Sequence, residues 1–243
     1  MGRFVFFRWR HCGMSLVESS RHATPPGVIM NFDRLAAHYH WLETICAGGL
    51  MQRCRTTFLP RTQNSRRALL VGEGTGRFLV ELLRCNPEIQ ITCVEHCEGM
   101  IKQARERLTS EGQDGSRVQF KHMDALDWMP PSEKYDLVVT NFFLDCFRPE
   151  QLQKLVPRLA ESTTTEAIWL LADFRVPERG WKRWRANMIL AMLYAFFKLA
   201  ASLSVSRLTP PDTYLVNAGF NLMDRRFASL GFAHSDFWKR TAT

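Results

Sequence analysis

Between Leu69 and Phe78 the chain reads LLVGEGTGRF, with glycines at alternate positions directly after an apolar run. A backbone that leaves a strand and enters a helix within so few residues needs positive φ, and it lets a ligand approach bare main chain. The next apolar run, ITCVE, closes on Glu95, 19 residues past Gly76. A carboxylate at that spacing can accept both hydroxyls of a ribose. Turn and acid together read as a nucleoside-binding β-α-β unit. Gly72, Gly74 and Gly76 follow G-x-G-x-G, whereas a dinucleotide fingerprint puts its third glycine one step later, where Arg77 stands. Hydride transfer on a nicotinamide is thereby disfavoured.

Further short apolar strands are expected at Ile89 to Glu95, Val118 to Lys121, Tyr135 to Asn141 and Ala167 to Asp173, after a first strand at Ala68 to Val71. Helical segments of crossover length separate them, which implies a parallel sheet wound on both faces. Phe32, Leu35, Tyr39, Leu42 and Cys46 recur at steps of three and four, predicting an amphipathic helix over 32 to 46, with a second short helix before Pro60. After Pro210 and Pro211 comes a short helix to Ala218, then FNLMDRRF and FAHSDFWKR with no helix between them. Strands joined without a crossover pair antiparallel. The predicted fold is α/β, a doubly wound, mostly parallel, seven-stranded sheet closed by a C-terminal antiparallel hairpin.

The chain has 243 residues, 46% of them hydrophobic and 23% charged, enough for one domain with a well-buried core. A net charge of +8 raises the question of a nucleic-acid partner, so its placement matters. Up to Arg67 the chain carries ten arginines against Glu18, Asp33 and Glu43, which leaves only +1 from Ala68 onward. That near-neutral remainder argues against nucleic acid. Residues 1–29 are basic, contain Pro25 and Pro26 and lack periodicity, which predicts a mobile extension, and Met30 offers an alternative start. Seven cysteines, odd in number and scattered, fit reduced thiols in a cytoplasmic chain, and no histidine at ligand spacing completes a metal set with Cys93 and Cys97. The apolar stretch after Met1 is cut by Arg3, Arg8 and Arg10, unlike a signal peptide.

The order of motifs over residues 32 to 240 resembles the class I S-adenosylmethionine-dependent methyltransferases, in particular quinone-pathway and related small-molecule enzymes. VGEGTGRF is similar to the family's first motif. VEHCEGM is similar to the second, which implies that Glu95 holds the ribose and Met100 packs on the adenine, with His96 beside the ring. FKHMDAL is similar to the third, which implies Asp124 near the adenine amino group and the Ala125 backbone along the ring. YDLVVTNFFLD matches the fourth strand, with Asn141 lining the donor pocket. FDRLAAHYHWLE resembles the lid helix ahead of the first motif, where the matching tyrosine, Tyr39, reaches the methionine end of the donor; a place in the helix core is its competing reading. The family usually carries an acid two residues before the first glycine. This chain has Leu70 there, and Glu73 inside the turn is the candidate to supply the charge. The resemblance implies one methyltransferase domain over 30–243, with lid helices at 30–60.

Methyl transfer from a sulfonium demands alignment and desolvation more than particular side chains, so the acceptor site is harder to read. Asp145, four residues past Asn141 at the carboxyl end of the fourth strand, is the candidate catalytic group, with helix capping as its alternative. His38, His40, His122 and His234 read more readily as surface or packing residues. An insertion at 181–207 holds a ten-residue apolar run, Met188 to Phe197, flanked by Lys182, Arg183, Arg185 and Lys198. Ten residues do not span a bilayer. A cap over a lipophilic acceptor is the favoured reading, with peripheral membrane contact as a second role and a plain buried helix as the third. The sequence therefore predicts methylation of a small, rather apolar acceptor on oxygen or carbon. An RNA methyltransferase and a non-catalytic donor-binding protein are the alternatives.

Overall fold

The computed structural model describes residues 49–131, 134–177, 180, 181, 183, 184, 186–188 and 208–241. The expected helix over 32 to 46, Tyr39, His38 and His40, the extension 1–29 and most of the insertion at 181–207 lie outside them. The strands are β1 (Arg67–Val71), β2 (Gln90–Glu95), β3 (Val118–His122), β4 (Tyr135–Asn141), β5 (Thr163–Phe174), β6 (Phe220–Ala228) and β7 (Ala233–Arg240). The helices are α1 (Leu50–Thr56), α2 (Arg77–Cys85), α3 (Glu98–Ser110), α4 (Pro149–Glu161) and α5 (Asp212–Asn217).

The strands form one seven-stranded sheet in the order β3-β2-β1-β4-β5-β7-β6. Every pairing from β3 to β5 is parallel, and β7 alone runs against its neighbours, antiparallel to both β5 and β6. The seven-stranded sheet and its reversed hairpin are as the sequence predicts. β1 is central and covered on both faces, so Ala68, Leu69, Leu70 and Val71 are all buried. One face packs Leu69, Val71, Val138, Trp169 and Leu171 against Leu152, Leu155 and Leu159 of α4 and Leu215 of α5. The other packs Leu70, Leu137, Val139 and Leu170 against Phe78, Leu79 and Leu82 of α2. The Trp169 indole is buried edge-on to Phe220, at 5.3 Å, and its Nε1 donates to Thr140 Oγ1 at 2.8 Å, which removes the cost of burying that N–H.

β5 begins four residues earlier than the apolar run suggests. Thr163, Thr164 and Thr165 are β-branched and suit a pleated strand although polar, and Thr163 pairs with Tyr135. The chain reverses between β6 and β7 through Ser229, Leu230 and Gly231, all at positive φ. From the insertion, Ala186 is buried against Phe232, beside Phe174, Val176 and Leu208, while Trp181 and Trp184 are exposed. Among the described residues, no helix is long and apolar enough to cross a membrane.

Candidate functional site

From β1 the chain winds outward through β2 to β3 and then returns to β4 on the other side of β1. Ligands of open α/β sheets bind at this reversal, beyond the carboxyl ends of the strands. Gly72, Gly74 and Gly76 turn the chain there with φ of +68°, +69° and +79°. A Cβ on Gly72 would stand 2.1 Å from the Phe143 ring, and one on Gly76 would stand 3.0 Å from Ala104 of α3. A Cβ on Gly74 meets nothing nearer than the Met100 sulfur at 3.7 Å, so this segment keeps an open main-chain edge.

Glu95, buried at the end of β2, ties the turn to α3. Its Oε2 accepts from the Gly74 amide and its Oε1 from the Cys97 amide, each at 3.0 Å. Burial raises the carboxyl, and these amides oppose the rise. Glu73 turns its carboxylate onto α2, where Oε1 accepts the Phe78 and Leu79 amides, both at 2.9 Å. The acid within the turn therefore supplies the acceptor that a helix N-terminus needs, while Leu70 is fully buried in the core. Loss of water pushes Glu73 up to about 7, against those amides and the pull of Arg55.

The other motif residues gather at the same edge. Met100 is buried in the first turn of α3, Ala125 is buried just after β3, and His96 is exposed next to Glu95. Asp124 closes its own turn, Oδ1 accepting from the Leu126 amide at 2.8 Å. Asn141 is buried at the end of β4, and its Nδ2 has no hydrogen-bond partner. Gln52 of α1 donates through Nε2 to the Arg77 carbonyl, while its buried Oε1 has no partner either. Buried polar atoms left unmatched beside an open main-chain edge fit a polar ligand. Sequence reasoning missed Gln52, Arg55 and Phe143, because their relevance depends on where α1 and the loop after β4 fold back.

Past Asn141, Phe142 takes φ of +53° and its amide donates to the Ala172 carbonyl at 2.6 Å. A left-handed conformation is costly for a bulky residue and persists only where the surroundings impose it. Its effect is to lay Phe143 over Gly72 and Phe142 against Phe174, with ring centroids 4.8 Å apart, beneath the Arg55 guanidinium. Asp145 follows in a 3-10 turn, Leu144–Cys146. It does not cap α4, which starts at Pro149 behind Arg148, so the capping alternative falls. Loss of water pushes the half-buried Asp145 carboxyl up to about 6, and the Cys146 thiol lies 3.5 Å from its Oδ1.

Beyond this turn lies a buried polar group that sequence reasoning left unassigned. His234 of β7 is buried and holds Asp236 Oδ1 at 2.9 Å through Nδ1, so it occupies a packed position rather than the surface. Arg225 of β6 clasps Asp236 with two bonds, of 2.7 and 2.6 Å, and reaches Asp212 at 2.8 Å. Asp173, which closes the apolar run LLAD as Glu95 closes ITCVE, carried the same signal. A separate cavity of about 260 Å³ opens between α1 and the β6–β7 turn, lined by Arg53, Cys54, Arg226 and Ser235 among others, away from the glycine turn. Among the described residues, no cluster of side chains could hold a metal ion.

The sheet order, the reversed β7 and the glycine turn at the switch point together define the class I methyltransferase fold. Residues 68–165 match the family model described as a methyltransferase domain. It is 25% identical over 128 residues to carboxy-S-adenosyl-L-methionine synthase of Nautilia profundicola, covering 53% of this chain and 51% of that one. It is 31% identical over 115 residues to demethylmenaquinone methyltransferase of Roseiflexus castenholzii, covering 46% of each. These matches span about half the length of the relatives. Among solved structures, mitomycin 7-O-methyltransferase superposes with a TM-score of 0.61 at 16% identity, over 80% of this chain and 55% of that one. The 1,6-didemethyltoxoflavin-N1-methyltransferase of Burkholderia thailandensis gives 0.61 at 14%, over 86% of both chains. At such identities the likeness is one of fold.

Proposed function

We propose that the protein transfers the methyl group of S-adenosylmethionine to a small, rather apolar acceptor, on oxygen or carbon ahead of nitrogen. The observation that carries this reading is the Gly74 amide bound to Glu95 at the sheet's switch point, beside the unmatched Asn141 and Gln52 atoms. In this reading Glu95 holds the ribose hydroxyls and the Gly72–Gly76 turn passes the methionine end. Met100, His96, Asp124 and Ala125 surround the adenine, and Glu73 places negative charge near the cationic donor. The donor, when bound, supplies an already activated methyl group. The chain's own work is to orient it, exclude water and receive a proton at Asp145.

Phe142, Phe143 and Phe174 at the same edge support an apolar acceptor. The methyltransferases it resembles have small-molecule substrates in their names: demethylmenaquinone, mitomycin and didemethyltoxoflavin. We assign residues 30–243 to one methyltransferase domain behind a basic extension, with Tyr39 on the lid and 181–207 capping the acceptor. Exposed Trp181 and Trp184 suit a peripheral membrane contact by that cap. Among the described residues Cys54, Cys85, Cys93, Cys97 and Cys146 form no disulfide, which suits a reducing, cytoplasmic setting.

The test is to incubate the protein with methyl-labelled donor and a metabolite extract of its host, then identify labelled products by mass. A single labelled lipophilic product is expected. Label found only in RNA, or donor bound with no product from any fraction, would overturn the small-molecule reading.

A further inference from the structure

The group at the ends of β5 and β7 contains one carboxyl that the fold does not neutralise. Asp173 is 1% exposed and neither oxygen has a hydrogen-bond partner, although the Phe143 and Asp145 amides face it. An unmatched carboxylate in such a place costs several kcal/mol, so it is the least expected feature of a packed sheet end. Its neighbours deepen the conflict. Asp145 lies within electrostatic reach on the 3-10 turn that packs on β5, and Asp236 on β7. The charged and titratable groups packed around the pair are Cys146 on the turn, His234 and Asp236 on β7, Arg225 on β6 and Asp212 on α5.

Arg225 is already committed, since both its bonds to Asp236 and the bond to Asp212 use its guanidinium. His234 is likewise tethered at Nδ1 by Asp236, which leaves Nε2 as its only other polar atom. Asp173 pairs with His234 in register across β5 and β7, so all three elements converge on one spot. Of Asp145, Asp173 and Asp236, only Asp145 is half-buried, and the other two are buried.

We propose that Asp173 and His234 are positioning residues that act through Asp145: Asp173 keeps the proton of a carboxyl pair, leaving Asp145 as the ionised member that takes the acceptor's proton, while His234 steadies that charge. The proposal rests on the methyl-transfer reading and names its acceptor class as a hydroxyl compound. The acceptor O–H gives its proton to an Asp145 oxygen. The freed electron pair forms the O–CH₃ bond as the C–S bond breaks, and that bond's electrons return to sulfur as a neutral thioether. The proton then leaves Asp145 through its exposed side. Burial and two neighbouring carboxylates hold Asp173 well above the usual carboxyl range, and two carboxyls pushed apart in this way divide into acid and base.

The first arm of the test, a carboxyl titration, needs no acceptor. In protein labelled with ¹³C at the aspartate carboxyls, the Asp173 signal is expected to remain in its protonated position at pH 7 while Asp145 titrates below it. Asp145→Asn should lower the Asp173 midpoint, and His234→Gln should raise that of Asp145 by roughly half a pH unit or more. The acid limb of methyl transfer to the labelled acceptor should move upward with it. Near-UV circular dichroism separates these shifts from unfolding, and Asp173→Asn, which keeps the shape and removes a buried charge, serves if Asp145→Asn does not fold. Asp145 should titrate in one step in that variant. Carboxyls that titrate independently while wild-type protein still binds S-adenosylhomocysteine would overturn this proposal alone. No binding by folded wild-type protein would overturn it together with the methyltransferase reading.

Discussion

A methyl group at position 72 would need the space that the Phe143 ring fills, and it would sit on backbone at φ +68°. The left-handed conformation alone costs about 1–2 kcal/mol for a residue with a Cβ. Gly72→Ala should therefore destabilise the fold by about 2 kcal/mol or more in urea titration. Adding Phe143→Ala should recover the steric part and leave the conformational part, a coupling that a double-mutant cycle measures. Glu73 gives a second residue-scale prediction. Its folded carboxyl stands near 7 against an ordinary 4.5, so the native state binds this proton more tightly than the unfolded chain does. Its contribution to stability is complete below about pH 4.5 and is lost as pH rises through about 7, up to roughly 3 kcal/mol. Glu73→Gln should flatten that slope. A cationic donor favours the carboxylate, so calorimetry in buffers of different ionisation enthalpy should show proton release on binding, increasing affinity from pH 6 to 8.

Strands with apolar runs were legible because both sheet faces are covered, and the hairpin because two strand-like segments lack a helix between them. The start of β5 was not, since threonines gain their strand character from pairing with β4 rather than from hydrophobicity. Nor was the cargo of the hairpin: Arg225 of β6 meets the His234–Asp236 pair of β7 only once the two strands are in register. That register has an energetic signature. Asp236 is fully buried, and although burial alone would raise its carboxyl, bonds from Arg225 and His234 hold it below its ordinary value. Arg225→Met should cost about 3–5 kcal/mol by stranding a buried charge. Arg225→Met with Asp236→Asn should recover most of that loss in the same denaturant titration. A single-variant effect as small as that of an exposed ion pair, under about 1 kcal/mol, would contradict the assignment.

At the scale of the molecule, charge and site are separated. Nearly all the net charge precedes Ala68, while the glycine turn, Glu95 and Asp145 lie after it. Removing residues 1–29 should therefore leave donor affinity unchanged, with any salt-sensitive retention of RNA lost. The donor site was readable because its motifs are local: a turn, an acid closing a strand, a spacing between them. The acceptor edge was less so, because Gln52, Arg55, Phe143, Asp173 and His234 come from separate elements that only the sheet order brings together. The central claim is that the turn and Glu95 hold an adenosyl sulfonium or its demethylated product. Isothermal titration of S-adenosylhomocysteine tests it most directly. Saturable one-to-one binding is predicted, weakened at least about tenfold, or about 1.4 kcal/mol, by Glu95→Ala and abolished by Gly74→Val. Folded wild-type protein that binds nothing, or Glu95→Ala with undiminished affinity, would contradict the account.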